Sequence, residues 1–353
     1  MTTLNDLGYT DYFETYRKSN NLLGFEIGRV ISEHKERYVV KTTEGEFDAE
    51  IIGNMRFSAK SRNDFPAVGD WVSVSQYDVD KVIIYNILAR QNAIERQAVG
   101  KTGEKQIIAS NINYAFILQA ADRDFNLNRI ERYLTICNTS NVLPIIVITK
   151  IDLIDNAEQQ RISEIISKRI KQAPIFFISN QTKIGYENLI KIIEKGQTYC
   201  LLGSSGVGKS SLINNLIGQD VMQTNAISSS NKKGRHITTH RQLFVLENGG
   251  LIIDNPGMKE VGIADEEGGL EITFNKIVEL SENCRYRDCK HINESGCAII
   301  KAVEQGIIDE NSYENYLKLD REKQHFEMDL NQRRKKDKKF GKMIKQMKKN
   351  MKK

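Results

Sequence analysis

In Tyr199-Cys200-Leu201-Leu202-Gly203-Ser204-Ser205-Gly206-Val207-Gly208-Lys209-Ser210, an apolar run empties into Gly-x-x-x-x-Gly-Lys-Ser. The pattern predicts a strand, then a loop whose glycines let backbone N–H groups turn inward around phosphates, then a helix over Ser211-Leu216 whose N-terminus adds positive potential. Lys209 is placed for the β- and γ-phosphates and the Ser210 hydroxyl for Mg²⁺. Gly203, Ser204, Ser205, Gly206, Val207, Gly208, Lys209, Ser210 and Ser211 are the candidate phosphate residues.

Downstream, the apolar run Leu251-Ile253 ends in Asp254-Asn255-Pro256-Gly257, the form of a second magnesium-side element. Asp254 would hold the ion through water, and the Gly257 N–H would sense the γ-phosphate. Between the two lies the polar stretch Gly234-Arg235-His236-Ile237-Thr238-Thr239-His240. A hydroxyl that closes on Mg²⁺ only with a triphosphate bound belongs on such a loop, and Thr238 or Thr239 would supply it.

Base recognition lies upstream. In Thr149-Lys150-Ile151-Asp152, the carboxylate can accept two hydrogen bonds from guanine N1–H and the exocyclic amine, which adenine does not offer, so a buried, unpaired Asp152 would reject ATP. The stem of Lys150 would lie over the base, and Ser179-Asn180-Gln181-Thr182-Lys183 would give a backbone contact to the guanine oxygen. In ordinary small GTPases the phosphate loop comes first. Here it follows the base motif, so a circularly permuted P-loop GTPase domain is expected.

The 353 residues, 40% of them hydrophobic, suffice for two or three domains. No apolar run approaches the roughly 20 residues that cross a bilayer, and Met1 to Asn20 lacks the form of a signal peptide, so a cytoplasmic, non-membrane chain is expected. Cys284, Cys289, His291 and Cys297, in the spacing Cys-x4-Cys-x-His-x5-Cys, would complete a closed tetrahedral shell for one structural zinc. Cys137 and Cys200 read as small buried apolar residues. Charge is uneven: the net +5 conceals a segment, Asn331 to Lys353, with twelve basic residues against Asp337 alone. Such a segment needs solvent or a polyanion, and Lys342, Lys345, Lys349 and Lys352 fall at helical spacing for RNA phosphates.

Patterning sets the organisation. Leu4 to Asn20 reads as one amphipathic helix with Leu4, Leu7, Tyr12, Phe13 and Tyr16 on a face. Five short β-like runs between Phe25 and Leu88 suit an OB-like barrel, a texture that SH3-like barrels share. From Asn111, alternating strands and helices imply a mostly parallel sheet with helices on both faces, and after Thr273 the chain turns helical around the cysteines. The expected divisions are an N-terminal helix (1–20), an OB-fold domain (21–95), the permuted GTPase domain (96–270) and a zinc domain with a basic C-terminal helix (271–353).

This order of barrel, Lys-x-x-Asp, phosphate loop, Gly-Arg-His-x-Thr-Thr, Asp-x-Pro-Gly and Cys-x4-Cys-x-His-x5-Cys resembles the RsgA (YjeQ/YloQ) family of ribosome small-subunit-dependent GTPases. Val68-Gly69-Asp70-Trp71-Val72 and Cys284-Arg285-Tyr286-Arg287-Asp288-Cys289 share in the match. The resemblance implies action on the 30S subunit and its 16S rRNA in late maturation, with GTP hydrolysis to GDP stimulated by that subunit. It also implies that His236 orients the attacking water, since Met258 follows Gly257 where many GTPases carry a glutamine. Monomer is the default expectation. Two positions depart from the pattern: Thr149 stands for Asn, and Ile237 for the first of three threonines. Loss of the Asn amide should remove a bracing hydrogen bond and lower nucleotide affinity. The rival reading is an RNA-binding assembly factor that uses guanine nucleotide only to select a conformation.

Overall fold

The structure, a computed structural model, describes residues 2–34, 36–97, 105–122, 125–219, 241–255 and 268–327. The expected single N-terminal helix is broken. A 3-10 turn, Asn5–Leu7, ends at Gly8 in the left-handed region (φ 83°), and α1 (Asp11–Ser19) follows. A side chain at Gly8 would meet the Gly196 carbonyl at 2.7 Å. The break re-phases the buried face: Leu7 and Phe13 are buried, but Tyr12 is exposed and Tyr9 replaces it, edge-on to Trp71 at 4.8 Å.

The barrel consists of β1 (Glu26–His34), β2 (Arg37–Lys41), β3 (Glu46–Ile51), the short helix α2 (Gly53–Ser58), β4 (Trp71–Asp78) and β5 (Lys81–Ile87). Strand β3 shows the logic: in Glu-Phe-Asp-Ala-Glu-Ile every second residue, Phe47, Ala49 and Ile51, is buried. The order β1-β2-β3-β5-β4 closes when β4 pairs back onto β1. A hairpin of β6 (Ala93–Gln97) and β7 (Lys105–Ser110) follows, which the sequence pattern had not suggested.

Next come β8 (Tyr114–Ala120), α3 (Leu127–Thr139), β9 (Leu143–Thr149), α4 (Asn156–Arg169), β10 (Ile175–Phe177), α5 (Tyr186–Lys191), β11 (Thr198–Leu202), α6 (Lys209–Ile217), β12 (Arg241–Val245) and β13 (Leu251–Asp254). Strands β10-β9-β8-β11-β13 are parallel, and β12 runs antiparallel to β13. Continuous apolar runs suit strands covered on both faces. Along β8, Ala115 and Ile117 join the core under α3 and α4, while Phe116 and Leu118 join that under α5 and α6. Cys137 and Cys200 lie in the first core, where burial pushes both thiols up. Strand β12, also unanticipated, pairs with β1, so barrel and parallel strands form one eleven-stranded sheet.

Arg29 pins the junction from inside. Its fully buried guanidinium donates to the carbonyls of Leu7 (2.5 Å), Gly69 (3.1 Å) and Asn111 (3.0 Å) and lies over the Trp71 ring. Burial lowers its pKa to about 9.

The C-terminal part comprises α7 (Gly269–Thr273), α8 (Asn275–Ser281), α9 (Ala298–Glu304) and α10 (Glu310–Glu327). It docks on α3 and α4 through a buried charge. Glu131 accepts from Arg169 (2.6 and 3.0 Å), from Asn315 of α10 (2.7 Å) and from Ser312 (3.0 Å). Arg132 forms a bidentate pair with Glu322 beside it. Among the described residues no helix is long and apolar enough to cross a membrane.

Candidate nucleotide site and metal centre

Strand β11 is inserted between β8, which leads on to β9 and β10, and β13, which lies toward β12. Connections therefore diverge at the carboxyl ends of β8 and β11, where open α/β sheets hold ligands. The expected phosphate residues occupy that edge. After β11 the chain turns through Gly203, Ser204, Ser205, Gly206 and Val207 and enters α6 at Gly208, with Ser205 and Gly206 exposed and Val207 buried. Lys209, Ser210 and Ser211 form the first turn of α6. The Lys209 ammonium donates to the Gly203 (2.7 Å) and Ser204 (2.6 Å) carbonyls. The Tyr133 hydroxyl of α3 is hydrogen-bonded to the Ser204 side chain.

Asp254, last residue of β13, is buried. Burial raises its carboxyl to about 6, with Lys209 acting in the opposite direction, and burial lowers Lys209 to about 8, opposed by Asp254. Beside it, both amide atoms of Asn255 are buried and have no partner among the described residues. A half-buried cation, a buried carboxylate and an orphaned amide suit a ligand that is both anionic and metal-bearing. His236, Thr238, Thr239, Gly257 and Met258 lie outside the described residues.

On the base side, β9 ends at Thr149, and Ile151–Leu153 form a 3-10 turn. Asp152 is exposed rather than buried, so only the base itself could desolvate it. Its Oδ1 accepts from the buried Ser179 hydroxyl at 2.5 Å, and Ser179 Oγ accepts from the N–H groups of Gln181 and Thr182. Lys150 is held by Asp122 at 2.8 Å, which fixes its stem beside the loop. The expected loss of a brace at Thr149 is corrected: its buried hydroxyl donates to the Val207 carbonyl at 2.7 Å.

Asp122, Tyr133 and Asn215, and the part played by the side chain of Asn180 beyond the expected backbone contact, are not signalled by the motifs. Only Asp122 carried a signal, as an acidic residue just past an apolar strand run; the others declare themselves only once α3, α5 and α6 are placed.

The metal ligands converge. One donor atom from each of Cys284, Cys289, His291 and Cys297 lies within 4.8 Å of every other. Cys284 Sγ is 3.9 Å from Cys297 Sγ, and His291 Nδ1 is 3.6 and 3.5 Å from these sulfurs. A tetrahedral zinc shell would have edges of about 3.8 Å between sulfurs and about 3.6 Å from sulfur to nitrogen. The set fits one such ion. Backbone N–H groups of Ala298 and Ile300 point at Cys284 Sγ and Cys297 Sγ, and the Tyr313 hydroxyl donates to the His291 carbonyl, which together hold three of the four ligands in place.

Phosphate loop, paired carboxylate and base loop on a sheet traced in this order define a circularly permuted P-loop GTPase. A family model described as RsgA GTPase matches residues 87–264. A small ribosomal subunit biogenesis GTPase RsgA 1 of Bacteroides thetaiotaomicron is 37% identical over 342 residues, covering 97% of this chain and 96% of its own. The crystal structure of YjeQ from Thermotoga maritima superposes with a TM-score of 0.61 at 27% identity, over 84% of this chain and 98% of that one. That of YloQ, described as a circularly permuted GTPase, gives 0.60 at 25% identity, over 86% and 97%. The chain belongs to the RsgA GTPase family, and its reaction is hydrolysis of GTP.

Proposed function

We propose that this GTPase acts in biogenesis of the small ribosomal subunit, hydrolysing GTP to GDP and phosphate in late 30S maturation at a rate raised by the subunit. The carrying observation is that Asp152, oriented by Ser179, and the phosphate loop, braced by Thr149, are tied into one hydrogen-bonded unit, as a single guanine nucleotide requires. In this reading Lys209 contacts the β- and γ-phosphates. The remaining loop residues offer N–H groups, Ser211 among them. Ser210, Thr238 or Thr239, and Asp254 through water, hold Mg²⁺. Gly257 senses the γ-phosphate, and His236 orients the attacking water once the ribosome has positioned its segment. One structural zinc occupies the Cys284, Cys289, His291 and Cys297 cluster. Barrel, zinc module and the basic segment after Asn331 contact 16S rRNA, and the chain works as a cytoplasmic monomer.

Steady-state GTP turnover with and without 30S subunits tests this. Stimulation by 30S subunits, lost in His236→Ala, is expected. Unchanged turnover would favour a nucleotide-selected RNA-binding assembly factor, and stimulation by 50S subunits alone would contradict both readings.

A further inference from the structure

Around the phosphate loop one amide is placed as the sequence pattern did not suggest. Asn180 follows Ser179 in the base loop, and its side-chain Nδ2 donates to the Gly208 carbonyl at 3.0 Å. That oxygen also accepts from Leu212 N at 2.9 Å, the first bond of α6, so both its lone pairs are used. Asn180 is itself held in place. Its Oδ1 accepts from the Tyr186 hydroxyl at 2.6 Å. Asn215 of α6 donates to the Asn180 carbonyl at 2.9 Å and to the Tyr186 oxygen at 2.8 Å. The Lys183 ammonium lies over the Tyr186 ring at 5.4 Å. Only glycine at 208 admits this contact. With φ at +97°, an added Cβ would sit 2.4 Å from Asn180 Nδ2.

Consequences follow from peptide planarity. In a trans peptide the C=O and the next N–H point in opposite directions. Drawing the Val207 carbonyl to Thr149 turns the Gly208 N–H the other way, and drawing the Gly208 carbonyl to Asn180 does the same for the Lys209 N–H. Two successive donors are thereby set by two side chains from the base side. We propose that Asn180 is a positioning residue for the phosphate loop, sharing with Thr149 the bracing that a single asparagine at position 149 would otherwise carry. Asn180 aims the Lys209 N–H at the phosphates and makes the base loop and phosphate loop one rigid body. This rests on the reading that both loops hold the same guanine nucleotide.

The test is equilibrium binding of fluorescent GDP and a GTP analogue to the full chain, alongside thermal denaturation without nucleotide. Asn180→Ala should weaken both nucleotides by about tenfold, the usual effect of one lost hydrogen bond of this kind. Its melting temperature should fall by no more than the few degrees that two lost hydrogen bonds cost, and its preference for guanine over xanthine nucleotides should stay as in the parent, because Asp152 and Ser179 are untouched. Asn180→Asp, nearly isosteric but presenting an acceptor to the Gly208 carbonyl, should bind at least as weakly as the alanine variant. Thr149→Asn should restore affinity to Asn180→Ala while changing the parent little. Tyr186→Phe should fall between. Parent-like binding by Asn180→Asp, or failure of Thr149→Asn to restore Asn180→Ala, would overturn the proposal. Failure of the parent chain to bind guanine nucleotides would instead overturn the underlying reading.

Discussion

Asp254 and Lys209 show how the site works against the fold that carries it. Asp254, at about 6 instead of 3.8, holds its proton more tightly folded than unfolded, so its cost grows as pH rises from 3.8 through about 6 and is full above that. Lys209, at about 8 instead of 10.5, releases its proton early, so its cost is full below about 8 and fades as pH rises through 10.5. Between about 6 and 8 both act in full. Asp254→Asn should therefore raise the melting temperature measured without nucleotide at pH 7.5, by an amount that shrinks toward pH 5, while abolishing Mg²⁺-dependent GTP turnover. Thermal scans at the two pH values check this; no gain at pH 7.5 would refute it. At this scale the phosphate loop was legible because Gly-x-x-x-x-Gly-Lys-Ser has one backbone solution between strand and helix. Thr149 was misread because a motif shows which group is missing and not which carbonyl a shorter group still reaches. The loop that holds Asn180 was legible but its side-chain bond was not, because the partner is a backbone atom on another element.

Among elements, the zinc cluster is the most self-contained. Cys297 is a metal ligand candidate, and as the N-cap of α9 it accepts the Ile300 N–H. Cys297→Ala should release the zinc, drop metal content from one per chain to none, and strip hydrogen-exchange protection from α9 and the adjoining part of α10. Basal GTP turnover should persist, since none of the four ligands belongs to the nucleotide site. Serine at 297, which can still cap, should lose zinc and keep more of the α9 protection. The strands of the parallel sheet were readable as apolar runs. Strand β12 was not: of Arg-Gln-Leu-Phe-Val only Leu243 is buried, and its strand character comes from neighbours on both sides. The N-terminal helix failed for a local reason, since periodicity alone passes over a glycine that must turn left-handed.

For the molecule as a whole, α3 is the hub. Tyr133 on it meets Ser204 of the phosphate loop, while Glu131 and Arg132 meet α10. Burial raises the Glu131 carboxyl, against the pull of Arg169, Asn315 and Ser312. Glu131→Ala would leave Arg169 only Asn128 and the exposed Asp309 as partners, and should cost about 3 kcal/mol of stability. Arg132→Ala, which breaks a partly exposed pair, should cost about 1 kcal/mol or less. Chemical denaturation of both variants checks the contrast, and equal losses would refute it. How these parts join was not legible in the sequence, because the link between barrel and nucleotide sheet is a ladder between strands some two hundred residues apart. Among the described residues that ladder has two register pairs, Ser32 with Gln242 and Glu33 with Arg241, against seven between β8 and β9. In mechanical terms it is a tear line. Pulled across the sheet, the protein should part there first, with the Arg241 to Glu33 ion pair and the buried Arg29 bond to the Asn111 carbonyl as its last rivets, leaving barrel and nucleotide sheet each folded.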